Sequence, residues 1–213
     1  MASVAKITKI EAQKKNKNRV AVYLDEEFAF GLDLTILAKF NLKKGDTLSE
    51  SQISDLLLAE EKKKINDNAL RYLANRAHSE KELTLKLKHK GYAEALIGEI
   101  ISDLKQTKFV NDQEFALSFA RNRLISKPMG EHLLRQELWQ KGIEKKIIDS
   151  TITQVFSEQP QEELALNLIK KFKSRYKTLD STAQKKKLHD FLVRRGFSWD
   201  VVNEVIGSMN RLD

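Results

Sequence analysis

Cysteine is absent from this chain, which excludes disulfides, thiolate zinc sites and thiol nucleophiles and fits a reducing compartment. Proline occurs only at Pro128 and Pro160, so the stretches rich in Lys, Leu, Glu and Ala are free to form helices. Apolar runs such as Leu56 to Ala59 are far too short to cross a bilayer, and the start, Met1-Ala2-Ser3-Val4-Ala5-Lys6, lacks the apolar core of a signal peptide. A cytoplasmic protein with no membrane partner is therefore expected. The eight glycines form no phosphate-cradling loop and no G-x-S-x-G turn. His78, His89, His132 and His189 show no metal-ligand or His-carboxylate spacing and read as surface or cap residues. With these classes removed, the expectation is a binding protein without catalytic residues, cofactor or metal.

What is present in excess is positive charge. Lys and Arg number 38 against 30 Asp and Glu, a net charge of +8 that attracts polyanions or acidic protein surfaces. Hydrophobic residues make up 41% of the 213, enough for an ordinary core.

Residues 1–66 read as an N-terminal segment. Lys6 to Ile10, Arg19 to Leu24 and Phe28 to Phe30 are β-branched or aromatic stretches separated by turn-like residues, which predicts a three-stranded antiparallel meander. The basic tip at residues 14–18 fits either a phosphate grip or a solvated hairpin turn. A short helix follows, with Leu34, Leu37 and Ala38 on one face; Lys43 to Asp46 form a turn. A second helix starts at Ser49 or Ser51, turns Ile53, Leu56 and Leu57 inward, and continues through Glu60 to Lys64 as a solvated connector.

The rest of the chain is one three-helix unit written three times, over 67–110, 111–160 and 161–213. Aligning Gly91, Gly142 and Gly196, which are 51 and 54 residues apart, shows the common pattern. Eight and four residues before each glycine stand Leu83 and Leu87, Leu134 and Leu138, Leu188 and Leu192, two leucines on one helix face. Tyr92, Ile143 or Phe197 follows the glycine directly. A further helix then carries Leu96, Ile97, Ile101 and Leu104; Ile147, Ile148, Ile152 and Val155; Val201, Val202, Ile206 and Met209. Thr151 breaks the stripe where the other units have Ile100 and Val205. Upstream lie amphipathic stretches around Ala69 to Ala74, Phe115 to Ala120 and Leu164 to Ile169. The fold expected is mainly α, tandem three-helix repeats in an elongated or curved array behind a small β meander.

Each glycine suits a left-handed helix end, and Lys90, Lys141 or Arg195 before it suits the negative end of the helix dipole. Ser79-Glu80-Lys81-Glu82 reads as a capping box, and Asn111 or Asp112 precedes the Phe115 helix. Pro128-Met129-Gly130 marks the break inside the second unit.

Three stretches resemble the RecX regulators of the bacterial recombinase RecA. They are Ala69 to Leu83, with Arg76, Ser79, Glu80 and Glu82; Phe109 to Ala116, with Asn111-Asp112; and Gly130, Leu134, Glu137-Leu138 and Lys141-Gly142-Ile143. The N-terminal strands and the extra terminal segment resemble the longer members from Gram-positive bacteria. Ala77-His78 stands where the family carries a further Arg. The resemblance implies a monomer that binds along RecA filaments on DNA, inhibits ATP hydrolysis and strand exchange, and promotes filament disassembly within homologous recombination and the SOS response. It also implies weaker binding to single- and double-stranded DNA. The other reading is an independent DNA-binding regulator whose glycine-jointed helix pairs work like a helix-turn-helix.

Charge marks the candidate contacts. Lys170 to Arg195 holds ten basic residues against Asp180 and Asp190, an excess equal to the whole net charge. Lys170, Lys171, Lys173 and Arg175 end one helix and Lys185, Lys186 and Lys187 open the next, so the clusters flank one loop as a phosphate patch; Arg194 and Arg195 close the stretch. The plain alternative is a solvated lysine surface. Arg71, Arg76 and Lys81, with Arg121, Arg123 and Arg135, form the second set, either for a specific partner or for pairing with Glu80, Glu82 or Glu137. Trp139 and Trp199 fall outside the shared stripe and are read as contact anchors or as packing between units.

Overall fold

The structure, a computed structural model, describes residues 4–14, 16–172 and 181–209. The chain forms two compact units, Met1–Arg71 with Gly91–Ile100, and Tyr72–Lys90 with Ile101–Asp213. The first three-helix repeat is thus divided between them.

In the first unit, β1 (Val4–Gln13), β2 (Asn16–Leu24) and β3 (Glu27–Asp33) form the expected meander. A fourth strand, β4 (Thr47–Ser49), pairs with β1 and completes an antiparallel sheet ordered β3-β2-β1-β4. Three residues are too few to show an alternating pattern, so no strand is predicted between the Lys43–Asp46 turn and the helix that follows. The strands also run further than their apolar cores, since ladder pairing carries polar residues with it. Asn16 pairs with Gln13, so most of the basic tip is strand, while Lys15 lies outside the described residues. Ile7, Val20, Val22, Phe30 and Leu32 turn to one face and pack with Ile36 of α1 (Leu34–Lys39), Leu48 and Leu56 of α2 (Glu50–Asn75).

Several expected inward residues differ. In α1 it is Ile36 that is buried while Leu34 is exposed, and in α2 Leu57 is exposed beside the buried Leu56. Side chains one and two residues apart on a helix point about 100° and about 200° apart, so burying Ile36 turns Leu34 away from the sheet and burying Leu56 leaves Leu57 outside the stripe. The connector is also less solvated than expected. Glu60 is buried: its Oε2 accepts the Asp33 N–H at 2.8 Å, and its Oε1 takes the Arg19 guanidinium as an ion pair at 2.6 Å. A buried carboxylate needs such partners, and here they tie α2 to the sheet edge. Ser49 is the residue that begins α2, its Oγ accepting the Gln52 N–H.

The repeats hold α3 (Glu80–Lys88), α4 (Glu94–Gln106), α5 (Asp112–Ser126), α6 (Glu131–Gln140), α7 (Lys145–Glu158), α8 (Gln161–Phe172), α9 (Ser181–Arg194) and α10 (Trp199–Met209). All six paired leucines are fully buried. One continuous core runs from Phe115 to Val205, so the second and third repeats complete each other's interior as stacking repeats should. Thr151 is buried within the stripe it interrupts. Gly91, Gly142 and Gly196 have φ of 84°, 83° and 83°, the left-handed ends foreseen for them. Two carry the full Schellman pattern: Ile143 N–H donates to the Leu138 carbonyl, and Phe197 N–H to that of Leu192.

The glycines have a second duty that spacing alone did not reveal. A Cβ on Gly142 would lie 2.5 Å from Lys81 Cβ, and one on Gly196 would lie 2.5 Å from the Leu133 nitrogen and Cβ. Each glycine therefore seats against the α3-type helix of the preceding repeat. The neighbouring hydrogen bonds repeat the same geometry. Ser79 Oγ, twelve residues before Gly91, donates to the Lys141 carbonyl at 2.7 Å; Gly130 N–H, twelve before Gly142, donates to that of Arg195 at 2.9 Å. Gly91 has no preceding repeat, and a Cβ there would meet nothing within 4 Å.

Candidate interaction surface

The junction between the first and second repeats is held by charge. Ser79 Oγ caps α3 by accepting the Glu82 N–H, but Glu82 does not complete the capping box. Its carboxylate instead takes Arg76 through both oxygens, at 2.9 and 3.3 Å, and Lys141 Nζ at 2.6 Å. Burial alone would push the Glu82 carboxyl up, yet these two charged donors outweigh it and hold the group at about 2. Asn111 caps α5 through the N–H groups of Gln113 and Glu114, which frees Asp112 to accept the Glu80 N–H at 2.8 Å. Burial raises the Asp112 carboxyl.

His78 is a correction to the surface reading of the histidines. It is buried, its Nδ1 lies 2.9 Å from the Arg76 carbonyl, its ring tilts against Tyr72, and burial lowers its pKa. The residue that departs from the family pattern is thus a packing group. His89 and His132 are exposed, and His189 is partly covered.

Most of the candidate arginines are engaged by carboxylates. Besides Arg76, Arg123 binds Glu137 with two bonds of 2.6 and 2.8 Å, Arg121 grips Glu158, and Arg135 bridges Glu131 and Asp149. The pairing alternative therefore describes these four in the folded chain, although only Glu82 and Glu137 were among the partners foreseen. Arg194 and Arg195 donate to the carbonyls of Asp190 and Pro128, and the Arg195 guanidinium lies 5.3 Å from the centre of the Phe191 ring. Lys81 donates to the Gln140 carbonyl at 3.4 Å. Arg71, Lys170, Lys171, Lys185, Lys186 and Lys187 carry no ion pair among the described residues, and all but the half-covered Lys185 are exposed. Lys173 and Arg175 lie outside the described residues, as does the loop they were to flank.

Both tryptophans reach the surface, at 66% exposure for Trp139 and 64% for Trp199, so neither packs between units. Trp139 borders an open hollow of about 430 Å³ with Lys81, Gly142, Ile143, Glu144 and Lys145. Trp199 borders one of about 380 Å³ with His189, Asp190, Val193 and Arg194. Lys145 was missed from the sequence. Its one signal is its register, three residues after Gly142, where the third repeat places Trp199.

Against this geometry, the chain matches the Regulatory protein RecX N-terminal domain over residues 5–49 and the first, second and third three-helix domains of RecX over 67–104, 111–152 and 160–206. It is 38% identical to Regulatory protein RecX of Bacillus licheniformis over 94% of this chain and 76% of that one. The chain belongs to the RecX family. Regulatory protein RecX of Clostridium botulinum is 32% identical over 95% of both chains. A crystal structure of regulatory protein RecX superposes with a TM-score of 0.78 at 34% identity, covering 96% of this chain and 99% of that one. RecX from Lactobacillus salivarius gives 0.67 at 26% identity, over 71% of this chain and 98% of its own. The RecX match to the third domain takes in Lys170, Lys171 and Lys185 to Lys187, and the match to the second takes in Trp139 and Lys145. Among the described residues no helix is long and apolar enough to cross a membrane.

Proposed function

We propose that this chain regulates the RecA recombinase by binding rather than by catalysis. It occupies RecA filaments on DNA, inhibits ATP hydrolysis and strand exchange, and promotes filament disassembly, acting as a cytoplasmic monomer in homologous recombination and the SOS response. The observation that carries the reading is the run of RecX matches across the N-terminal domain and all three repeats. Tandem repeats support it physically, because they offer several modest contacts to a partner that is itself a repeating polymer, and linked contacts reinforce one another. The unpaired lysines of α8 and α9 support a weaker contact with DNA.

The test is RecA-dependent ATP hydrolysis on single-stranded DNA, with the protein added well below one molecule per recombinase. Inhibition that persists when excess free DNA is supplied supports the reading. No effect until the DNA is saturated would remove it, and would favour an independent DNA-binding regulator.

A further inference from the structure

Trp139 is not accounted for by packing. It stands on α6 three residues before Gly142, where the other repeats have Lys88 and Val193, and it is two-thirds exposed. Among the described residues its ring meets no other aromatic group and its indole N–H has no acceptor. Tryptophan is among the residues enriched at the energetic centres of binding surfaces, and this one borders a concavity.

The hollow next to it has a cause in the fold. The chain turns left-handed at Gly142, which has no Cβ, and Lys81 of the preceding repeat lies across the turn. Two basic residues, Lys81 and Lys145, line it with one acidic residue, Glu144. Lys145 and Glu144 have no ion pair among the described residues, and the 3.4 Å bond from Lys81 to the Gln140 carbonyl is long enough to yield to a better acceptor. Its volume of about 430 Å³ falls in the range of small-ligand sites. The occupant must therefore offer a flat face to the indole and negative charge to the lysines. An unpaired nucleotide offers both, whereas a duplex hides its base faces in its own stack.

The hollow at Trp199 lacks this combination. His189 lies 4.5 Å from the Trp199 ring, Arg194 Nε is held by the Asp190 carbonyl, and the one arginine is matched by one aspartate.

We propose that the Trp139 hollow binds one nucleotide of single-stranded DNA, the base stacking on the indole and the flanking phosphates meeting Lys81 and Lys145. This deepens the proposed function by giving its DNA contact an address, and it rests on that reading only for the place of DNA in the complex. The test needs no recombinase, so its failure and the failure of that reading are separable.

Full-length Trp199→Phe leaves Trp139 as the sole indole and is titrated with oligothymidylate. Saturable quenching is expected, with a duplex of equal length giving much less. Trp139→Ala, made in the otherwise unaltered chain and matched to it in helical content, should weaken binding of a labelled oligothymidylate by about tenfold or more. Trp139→Phe should recover part of that loss, and Lys81→Ala with Lys145→Ala should weaken binding and lower its salt dependence. Binding without quenching, or full affinity in Trp139→Ala, overturns the proposal. Full DNA affinity in Trp139→Ala together with lost inhibition of RecA overturns it in favour of a protein contact at the same hollow.

Discussion

Replacing each repeat glycine in turn by alanine separates two physical terms that coincide at two sites and part at the third. All three glycines are left-handed, with φ between 83° and 84°, so alanine carries a conformational cost of about 1 kcal/mol at each. At Gly91 that is the whole cost, because nothing lies within 4 Å of the new methyl group. At Gly142 the methyl would come within 2.5 Å of Lys81 Cβ, and at Gly196 within 2.5 Å of the Leu133 nitrogen. Neither atom can swing away as a side-chain terminus can, so the repeats must separate locally at a further cost of about 1–3 kcal/mol. For a chain of this size each kcal/mol lowers Tm by about 2–4 °C. Gly91→Ala should therefore lose about 3 °C, and Gly142→Ala and Gly196→Ala roughly 6–12 °C, with Gly196 the most sensitive because a backbone atom opposes it. Thermal unfolding followed by far-ultraviolet circular dichroism reads the series. Equal losses at all three positions would refute the junction argument and leave only the helix-end role.

Two further outcomes are expected. Glu82, held at about 2 against 4.5 when unpaired, contributes stability that is full above pH 4.5 and drains as pH falls towards 2, about 3 kcal/mol at most. Glu82→Gln should lower the urea midpoint at pH 7 and flatten the decline between pH 4.5 and 2; a separate decline below pH 6.5, from the lowered pKa of His78, should persist in the variant. An acid profile identical to the unaltered chain would count against the Arg76–Glu82–Lys141 junction. Lys185, Lys186 and Lys187 replaced together by alanine should weaken binding to single-stranded DNA and reduce the slope of log affinity against log salt by up to about 2. An unchanged slope would return these lysines to the role of a solvated surface.

Much of this protein was legible before its structure. The leucine pairs, the apolar stripes and the left-handed glycines follow from local rules, since helix period and the steric cost of a Cβ act within a few residues. The meander was legible for the same reason, while β4 was not, because three residues hold a place in a sheet only through the partner strand they find. Resemblance in three short stretches pointed to RecX, and matches along the chain establish it.

Tertiary structure alone decided which charges are spent and which are available. Pairing of Arg76, Arg121, Arg123 and Arg135 was one of two readings of the sequence, and apart from the one-turn contact of Arg135 with Glu131 their partners Glu82, Glu158, Glu137 and Asp149 lie 6 to 37 residues away and meet them only once the helices pack. The same packing left Trp139 exposed, buried Glu60 and His78, and made each of the later glycines a seat for the preceding repeat. Periodicity therefore determined the repeating unit, because its causes are local. The junctions and the free surface were decided by contacts between residues far apart in the chain, which no local pattern records.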